Sequence, residues 1–219
     1  EATRPAVIEA IAGASGMRQW GARAGHSLGF MSRVALEPPR WHQPRGSRHA
    51  FLELAPAGMR FRVFGVHLSA VHSAWTERRR LRELRALLAG IRHQQEGFHL
   101  LAGDFNTLAP GELLDLRRLP LRLRPFVWLS GGRIRWRTIQ EVLDARYLDA
   151  FRSLHPLDSA RGSSADPGLT FPTWDPHVRL DYVFVPEIHA GRVTACEVVR
   201  GAGASTASDH FPLLATVEL

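Results

Sequence analysis

Four short segments of the sequence place Asp, Asn or His at the end of an apolar run, where a strand would meet a loop. They are Gly65-Val66-His67-Leu68, Gly103-Asp104-Phe105-Asn106, Arg179-Leu180-Asp181-Tyr182 and Ser208-Asp209-His210-Phe211-Pro212. Strand ends converge at the rim of a sheet, so these polar groups could meet in one cleft. A structural His or a turn Asp explains any one segment alone. Four together, all of types that bind metal or phosphate, predict a functional site.

The chemistry that these residue types suit is hydrolysis of a phosphodiester. That reaction needs a nucleophilic water, neutralisation of charge at phosphorus and help for the leaving oxygen. Carboxylate oxygens hold Mg²⁺ or Mn²⁺. A His beside a carboxylate is oriented and has its proton affinity raised. An Asn next to an Asp can donate to a phosphate oxygen while the Asp takes a proton.

The elements that must position these residues alternate irregularly between strands and helices. The hydrophobic patterns predict helices over residues 3–12, 75–92, 138–145 and 147–154, with a loop at 37–47, an irregular region at 109–137 and a loop at 155–168. They predict strands over 28–32, 49–54, 59–67, 99–102, 180–185, 192–199 and 211–218. A regular βαβ repeat is lacking and a hairpin is present. The pattern therefore favours mixed sheets flanked by helices over a doubly wound parallel sheet.

Composition narrows the class of protein further. The 219 residues, 45% of them hydrophobic, suit one domain with a sizeable core. The single cysteine, Cys196, excludes a disulfide within the chain and argues against a cysteine zinc site. No apolar run is long enough to predict a transmembrane segment.

The net charge is +7 and every cation is Arg, which suits a polyanion such as nucleic acid or an anionic membrane surface. A general habit of using Arg over the whole surface is the alternative.

The motifs resemble those of the endonuclease/exonuclease/phosphatase superfamily, also called deoxyribonuclease I-like. The matching segments are Val66-His67-Leu68, Gly103-Asp104-Phe105-Asn106-Thr107, Arg179-Leu180-Asp181-Tyr182-Val183-Phe184-Val185 and Ser208-Asp209-His210-Phe211-Pro212. Their order and approximate spacing match, over nearly the whole chain. The run from Thr170 to Trp174 is similar to that of bacterial members. The resemblance implies a four-layer α-β-β-α sandwich and Mg²⁺- or Mn²⁺-dependent phosphoester hydrolysis.

The resemblance also implies a catalytic role for five of these residues. Asp104 would deprotonate or orient the attacking water, and Asn106 would hold the phosphate. His210 would contact the scissile phosphate and take part in proton transfer. Asp181 would hydrogen-bond His210 and fix its tautomer, and His67 would line the pocket as a phosphate ligand.

The metal site that the resemblance implies is held by Asp209 and Glu1. In the family, a strand ends in a Leu-Gln-Glu-like motif whose Glu binds the metal, and a helix follows directly. Here Glu1 directly precedes a predicted helix that opens Ala2-Thr3-Arg4-Pro5. An arbitrary start of the chain is the alternative. With Glu1 as the ligand, we expect one domain over residues 1–219 that lacks the family's first strand and could bind metal poorly.

The sequence leaves the substrate open. Nucleic acid is favoured by the basic charge, and a phospholipid or sphingolipid phosphodiesterase, a small-molecule phosphatase or a catalytically silent binding module are the alternatives. The apolar segments at 119–121 and 126–129 would form a lipid-facing flap or a packed insertion. Trp174 and Arg179 could touch substrate by stacking and phosphate contact, with core packing as the alternative for Trp174. We expect a monomer and favour a cytoplasmic location.

Overall fold

The computed structural model describes residues 4–70, 74–94, 96–112, 114–115, 117–118, 121, 124–125, 137–157 and 167–219. The helices are α1 (Pro5–Ala14), α2 (Ala74–Ile91), α3 (Arg137–Asp144), α4 (Ala150–Leu154) and α5 (Ala202–Ala207), with 3-10 turns at Arg92–Gln94 and Glu187–Arg192. The strands are β1 (Gln19–Ala22), β2 (Gly29–Ser32), β3 (Arg40–His42), β4 (Phe51–Leu54), β5 (Arg62–His67), β6 (His99–Asp104), β7 (Tyr147–Asp149), β8 (Asp181–Pro186), β9 (Val193–Val198) and β10 (Leu213–Val217).

A six-stranded sheet in the order β3-β4-β5-β6-β8-β7 forms the centre of the fold. β5 and β6 are parallel, and the other neighbouring pairs are antiparallel. Helix α2 supplies the crossover between the two parallel strands, which explains why a long helix lies between them in sequence. The other four strands form two antiparallel pairs, β1 with β2 and β9 with β10.

The two faces of the central sheet are covered differently. On one face, Leu84 and Leu87 of α2 and Val142 of α3 pack with Phe64 and Leu101 in a buried apolar cluster. On the other face, a second cluster joins β6 and β8 to β9 and β10; its members include Leu100, Val183, Val185, Cys196 and Val198. Because the thiol of Cys196 is buried, its pKa is raised to about 12, and it serves as a small core residue.

The remaining pair, β1–β2, lies between α1 and the central sheet. Helix α1 contacts both strands, and Leu28, just before β2, lies beside Gly65 of β5. The layers are therefore helices α2 and α3, the six-stranded sheet, the two strand pairs, and α1. This is the four-layer α-β-β-α sandwich that the family resemblance implied.

Most predicted elements are confirmed, and two are wrong. The predicted helix over 147–154 begins with a strand: Tyr147 and Asp149 are buried while Leu148 is not, an alternation that suits β7 on the edge of the sheet beside β8. The helix starts at Ala150, where the Asp149 carboxylate accepts hydrogen bonds from two backbone amides. The predicted loop at 37–47 contains the edge strand β3.

Much of the predicted irregular region 109–137 and of the loop 155–168 lies outside the described residues, as do the apolar segments 119–120 and 126–129. No helix among the described residues is long and apolar enough to cross a membrane.

Candidate active site

Three of the predicted site residues lie side by side on three adjacent strands of the central sheet. His67 ends β5 and pairs in register with Asp104, which ends β6. Asp104 in turn pairs in register with Asp181, which begins β8. The expectation from the sequence, that separate strand ends would meet at one rim, holds for these residues because β5 and β6 are parallel while β8 runs the other way.

The backbone around Asp104 is shaped by Gly103 and Asn106. Gly103 has a φ of 141°, and a Cβ at this position would collide with the carbonyl oxygen of Val66. Glycine is therefore required at this point of contact between β6 and β5. Asn106 adopts a left-handed φ of 53°, a conformation that Asn tolerates better than most residues.

The carboxylate of Asp104 is held by Asn106 through two hydrogen bonds. Oδ1 accepts from the backbone N–H of Asn106 at 2.8 Å, and Oδ2 accepts from its side-chain Nδ2 at 2.8 Å. The same Nδ2 also donates to the carbonyl oxygen of Leu68 at 3.0 Å. Both amide hydrogens of Asn106 are thus engaged, so a phosphate contact through Nδ2 requires one of these bonds to be exchanged.

His210 and Asp181 form the second hydrogen-bonded pair of the site. Nδ1 of His210 lies 2.8 Å from Oδ2 of Asp181. A carboxylate can only accept, so Nδ1 carries the proton of this bond and Nε2 is the remaining ring nitrogen. Burial lowers the pKa of His210, but the hydrogen bond and charge of Asp181 outweigh it, and the carboxylates of Asp104 and Asp209 add to them. The pKa of His210 is raised as a result.

Asp104 differs from an ordinary surface carboxylate. Burial is the main cause that raises its pKa to about 7, and the charge of Asp181 raises it further; His210, the backbone amide of Asn106 and Arg80 act in the opposite direction. A carboxyl group in this range can gain or lose a proton near neutral pH, which is the property that a general base needs.

His67 lies on the other side of Asp104. Its Nε2 is 3.9 Å from Oδ2 of Asp104, and only 9% of the residue is exposed. Its ring stacks on that of His49, with centroids 5.2 Å apart and an angle of 15° between the planes. The structure therefore places His67 at the site, next to a second imidazole that the sequence did not single out.

Asp209 is hydrogen-bonded to Thr173, the residue directly before Trp174. The carbonyl oxygen of Asp209, whose side chain is exposed, accepts from the backbone N–H of Thr173 at 2.9 Å. The ring of Phe171 lies 4.7 Å from that of His210 and 6.3 Å from that of Trp174. A cleft of about 320 Å³ opens between the sheet and the loop that leads into β10; Gly103, Asp181, Ser208, His210 and Pro212 are among the residues that line it.

The side chain of Arg179 is buried, which corrects the prediction that it contacts the substrate. The residue is only 1% exposed. Its Nε is 2.7 Å from a carboxylate oxygen of Glu112, and its Nη2 is 2.7 Å from one of Asp149. Its guanidinium also lies over the ring of Tyr182, at 4.3 Å from the centroid. Arg179 is therefore a buried structural cation that two acidic residues distant in sequence neutralise.

A buried polar cluster behind the site was missed from the sequence. Glu77 accepts hydrogen bonds from Arg80, from the hydroxyl of Thr107 and from Thr138. Arg80 also donates to the carbonyl oxygen of Ser69 at 2.8 Å. The cluster therefore ties the chain after β5 and the chain after Asn106 to helix α2.

The predicted metal ligand Glu1 lies outside the described residues. Within the described part of the chain, no group of three or more His, Cys, Asp or Glu side chains is arranged to hold a metal ion.

A profile of the Endonuclease/Exonuclease/phosphatase family matches residues 13–210, a span that includes the strand-end residues described above. The chain belongs to this family. It is accordingly a phosphoester hydrolase by family. A comparison with curated proteins gave no match.

Solved structures share the fold at low sequence identity. An AP endonuclease from Archaeoglobus fulgidus has a TM-score of 0.68 and 17% identity, over 96% of this chain and 83% of that one. A 3'-5' exonuclease from Neisseria meningitidis has a TM-score of 0.65 and 16% identity, over 98% and 83% of the two chains. A humanized TDP2 of D. rerio has a TM-score of 0.60 and 16% identity, over 98% and 82%. These likenesses show the fold.

Proposed function

We propose that this phosphoesterase hydrolyses phosphodiester bonds of nucleic acid with the help of Mg²⁺ or Mn²⁺. The observation that carries the proposal is the Asp181–His210 pair, joined at 2.8 Å, at the strand end that stands in register with Asp104. It brings a candidate proton acceptor and a candidate phosphate contact to one rim of the sheet.

Each of these residues has a proposed role. Asp104 takes a proton from the attacking water, for which its raised pKa near 7 is suited. His210 contacts the scissile phosphate, with Asp181 fixing its tautomer, and its raised pKa favours the positively charged imidazolium that a phosphate attracts. Asn106 orients Asp104, and His67 lies where it could contact a phosphate oxygen.

The donor types at the site fit a hard divalent cation. Asp104, Asp181 and Asp209 bring three carboxylates to the region, and the charges of all three act on His210. Oxygen ligands of this kind suit Mg²⁺ or Mn²⁺. Asp209 and Glu1 would hold the ion; without Glu1 the described residues do not complete a set of ligands. When bound, such an ion neutralises negative charge that develops at the phosphate.

Two further observations favour nucleic acid as the substrate. The chain carries a net charge of +7, with arginine as its only cationic residue apart from histidine. Arginine offers a planar fork of donors that matches phosphate oxygens. The structural neighbours include an AP endonuclease and a 3'-5' exonuclease, proteins that act on nucleic acid.

The proposal is tested by a substrate panel measured with Mg²⁺, with Mn²⁺ and with EDTA. The panel contains single-stranded and duplex DNA, RNA, sphingomyelin vesicles, bis-p-nitrophenyl phosphate and a phosphorylated sugar. We expect hydrolysis of nucleic acid that EDTA abolishes and either metal restores. If the protein hydrolysed only the sphingomyelin vesicles, or only the sugar phosphate, that compound and not nucleic acid would be its substrate. Hydrolysis that is indifferent to EDTA would overturn the metal requirement.

A further inference from the structure

Trp174 is a large apolar side chain that the fold leaves uncovered. It is 74% exposed, so it does not serve core packing. Its backbone is held in place: the N–H of Asp175 donates to the carbonyl oxygen of Pro172 at 3.1 Å, which closes a turn around it. The preceding residue, Thr173, bonds to the loop after α5 through its N–H to Asp209 and its hydroxyl to Ser208, both at 2.9 Å. An indole presented on such a fixed turn is organised to meet a ligand.

One aromatic ring, that of Phe171, lies between this indole and His210. Phe171 lies 4.7 Å from the ring of His210 on one side and 6.3 Å from the ring of Trp174 on the other. The Phe171–Trp174 contact is tilted by 65°, an edge contact that leaves most of the indole uncovered. A planar group stacked on Trp174 would therefore be separated from the His210 ring by the indole and by Phe171. That places it near the phosphate that His210 is proposed to contact.

Arginines lie next to the same turn. One of them, Arg118, is ion-paired with the residue directly after Trp174: its Nη1 is 3.3 Å from the carboxylate of Asp175. Arg117 is exposed beside it, and Nη2 of Arg124 donates to the carbonyl oxygen of Arg117 at 2.8 Å. An aromatic platform next to a group of cations is the combination with which proteins bind single-stranded nucleic acid: bases stack on the ring and phosphates meet the cations.

We infer that Trp174 stacks on an unpaired base that neighbours the scissile phosphate, so that the site acts on single-stranded nucleic acid in preference to the interior of a duplex. Inside a duplex both faces of each base are covered by its neighbours, whereas an unpaired base exposes a face that an indole can cover. The inference rests on the proposed function and narrows its substrate.

The test compares the binding of a labelled single-stranded 12-mer and of a blunt duplex of the same sequence, by fluorescence anisotropy in EDTA at one fixed salt concentration. Trp174→Ala should weaken binding of the single strand by about tenfold and of the duplex by less than about twofold. Trp174→Phe, which keeps a ring, should retain most of the single-strand affinity. Ile188→Ala is the matched control, because Ile188 is 69% exposed and lies in the turn that follows the other end of β8.

An equal loss of affinity for both DNAs, or no loss for either, would overturn the inference. So would Trp174-dependent binding to sphingomyelin vesicles in place of the oligonucleotide. Hydrolysis separates this inference from the proposed function. If the wild type cleaves both DNAs and Trp174→Ala weakens the binding of each equally, only the strand preference is wrong. If the wild type neither binds nor cleaves nucleic acid, the strand preference and the proposed function are both wrong.

Discussion

At the scale of single residues, Asp104 shows how much of a site is set by its immediate neighbours. Gly103 lets β6 approach β5, and Asn106 binds both oxygens of the Asp104 carboxylate. The sequence predicted that Asp104 and Asn106 act together, because the Gly-Asp-Phe-Asn motif is local. It could not predict that Arg179 is buried, since its partners Glu112 and Asp149 lie 67 and 30 residues away in the chain.

His99 gives a prediction for the pH dependence of stability. The residue is 1% exposed, its Nδ1 bonds to the carbonyl oxygen of Gly97 and its Nε2 to the hydroxyl of Tyr147. Burial lowers its pKa below the ordinary value of 6.5. The folded state therefore holds His99 neutral, so its contribution to stability is complete above about pH 6.5 and is lost as the pH falls through the folded-state pKa.

We expect His99→Gln, which is neutral at every pH and keeps one side-chain donor and one acceptor, to flatten the fall in the free energy of unfolding between pH 7.5 and 5. Urea unfolding at several pH values measures this. His93→Gln, at an exposed position in the 3-10 turn after α2, is the control and should follow the wild type. If the free energy of unfolding of His99→Gln fell with pH as steeply as that of the wild type, His99 would not be the cause of the fall.

At the scale of elements, helix α2 shows why a periodic pattern identifies a helix more readily than its buried face. The helix was predicted from the spacing of its apolar residues, but polar and charged residues supply more than half of its buried face. The buried positions are Thr76, Glu77, Arg80, Glu83, Leu84, Leu87 and Ile91. The signal was present in the spacing, and only the assumption that buried positions are apolar concealed it. The short strands β1, β3 and β7 escaped prediction because each has only three or four residues and depends on a partner strand for its conformation.

The buried ion pair of α2 should be essential to the fold. Arg80→Met leaves the Glu77 carboxylate, which is 4% exposed, without its charged partner. Because an uncompensated buried charge is costly, we expect the free energy of unfolding to fall by ~3–5 kcal/mol. The exposed neighbour Arg78→Met should change it by less than ~0.5 kcal/mol. Similar urea midpoints for the two variants would show that the pair contributes little.

At the scale of the whole molecule, the motifs and their order were sufficient to predict the family, which residues 13–210 match, and the resemblance to that family implied the four layers. The order of the strands within the central sheet and the placement of β1–β2 on its second face were beyond the sequence, because they depend on packing between distant segments. The role of Glu1 stays a prediction, since it lies outside the described residues.

The net charge of +7 gives a prediction for the molecule as a whole. If arginines meet the phosphates, the affinity for a single-stranded oligonucleotide should fall steeply as NaCl rises from about 50 to about 200 mM, with a log–log slope of about −0.7 for each phosphate contacted. Anisotropy titrations measure the slope. An affinity that does not change with salt would mean that the arginines are spread over the surface without a role in binding.

The proposed active site depends most directly on Asp104, and one rate measurement tests its role. The hydrolysis of single-stranded DNA in Mg²⁺ is compared for the wild type, Asp104→Asn and Asp144→Asn, the last being the same substitution at an exposed position on α3. Asp104→Asn removes the proton acceptor and should lower the rate at least about 100-fold with an unchanged circular dichroism spectrum, while Asp144→Asn should match the wild type. A folded Asp104→Asn variant that cleaves DNA at a near-normal rate would contradict the proposed active site.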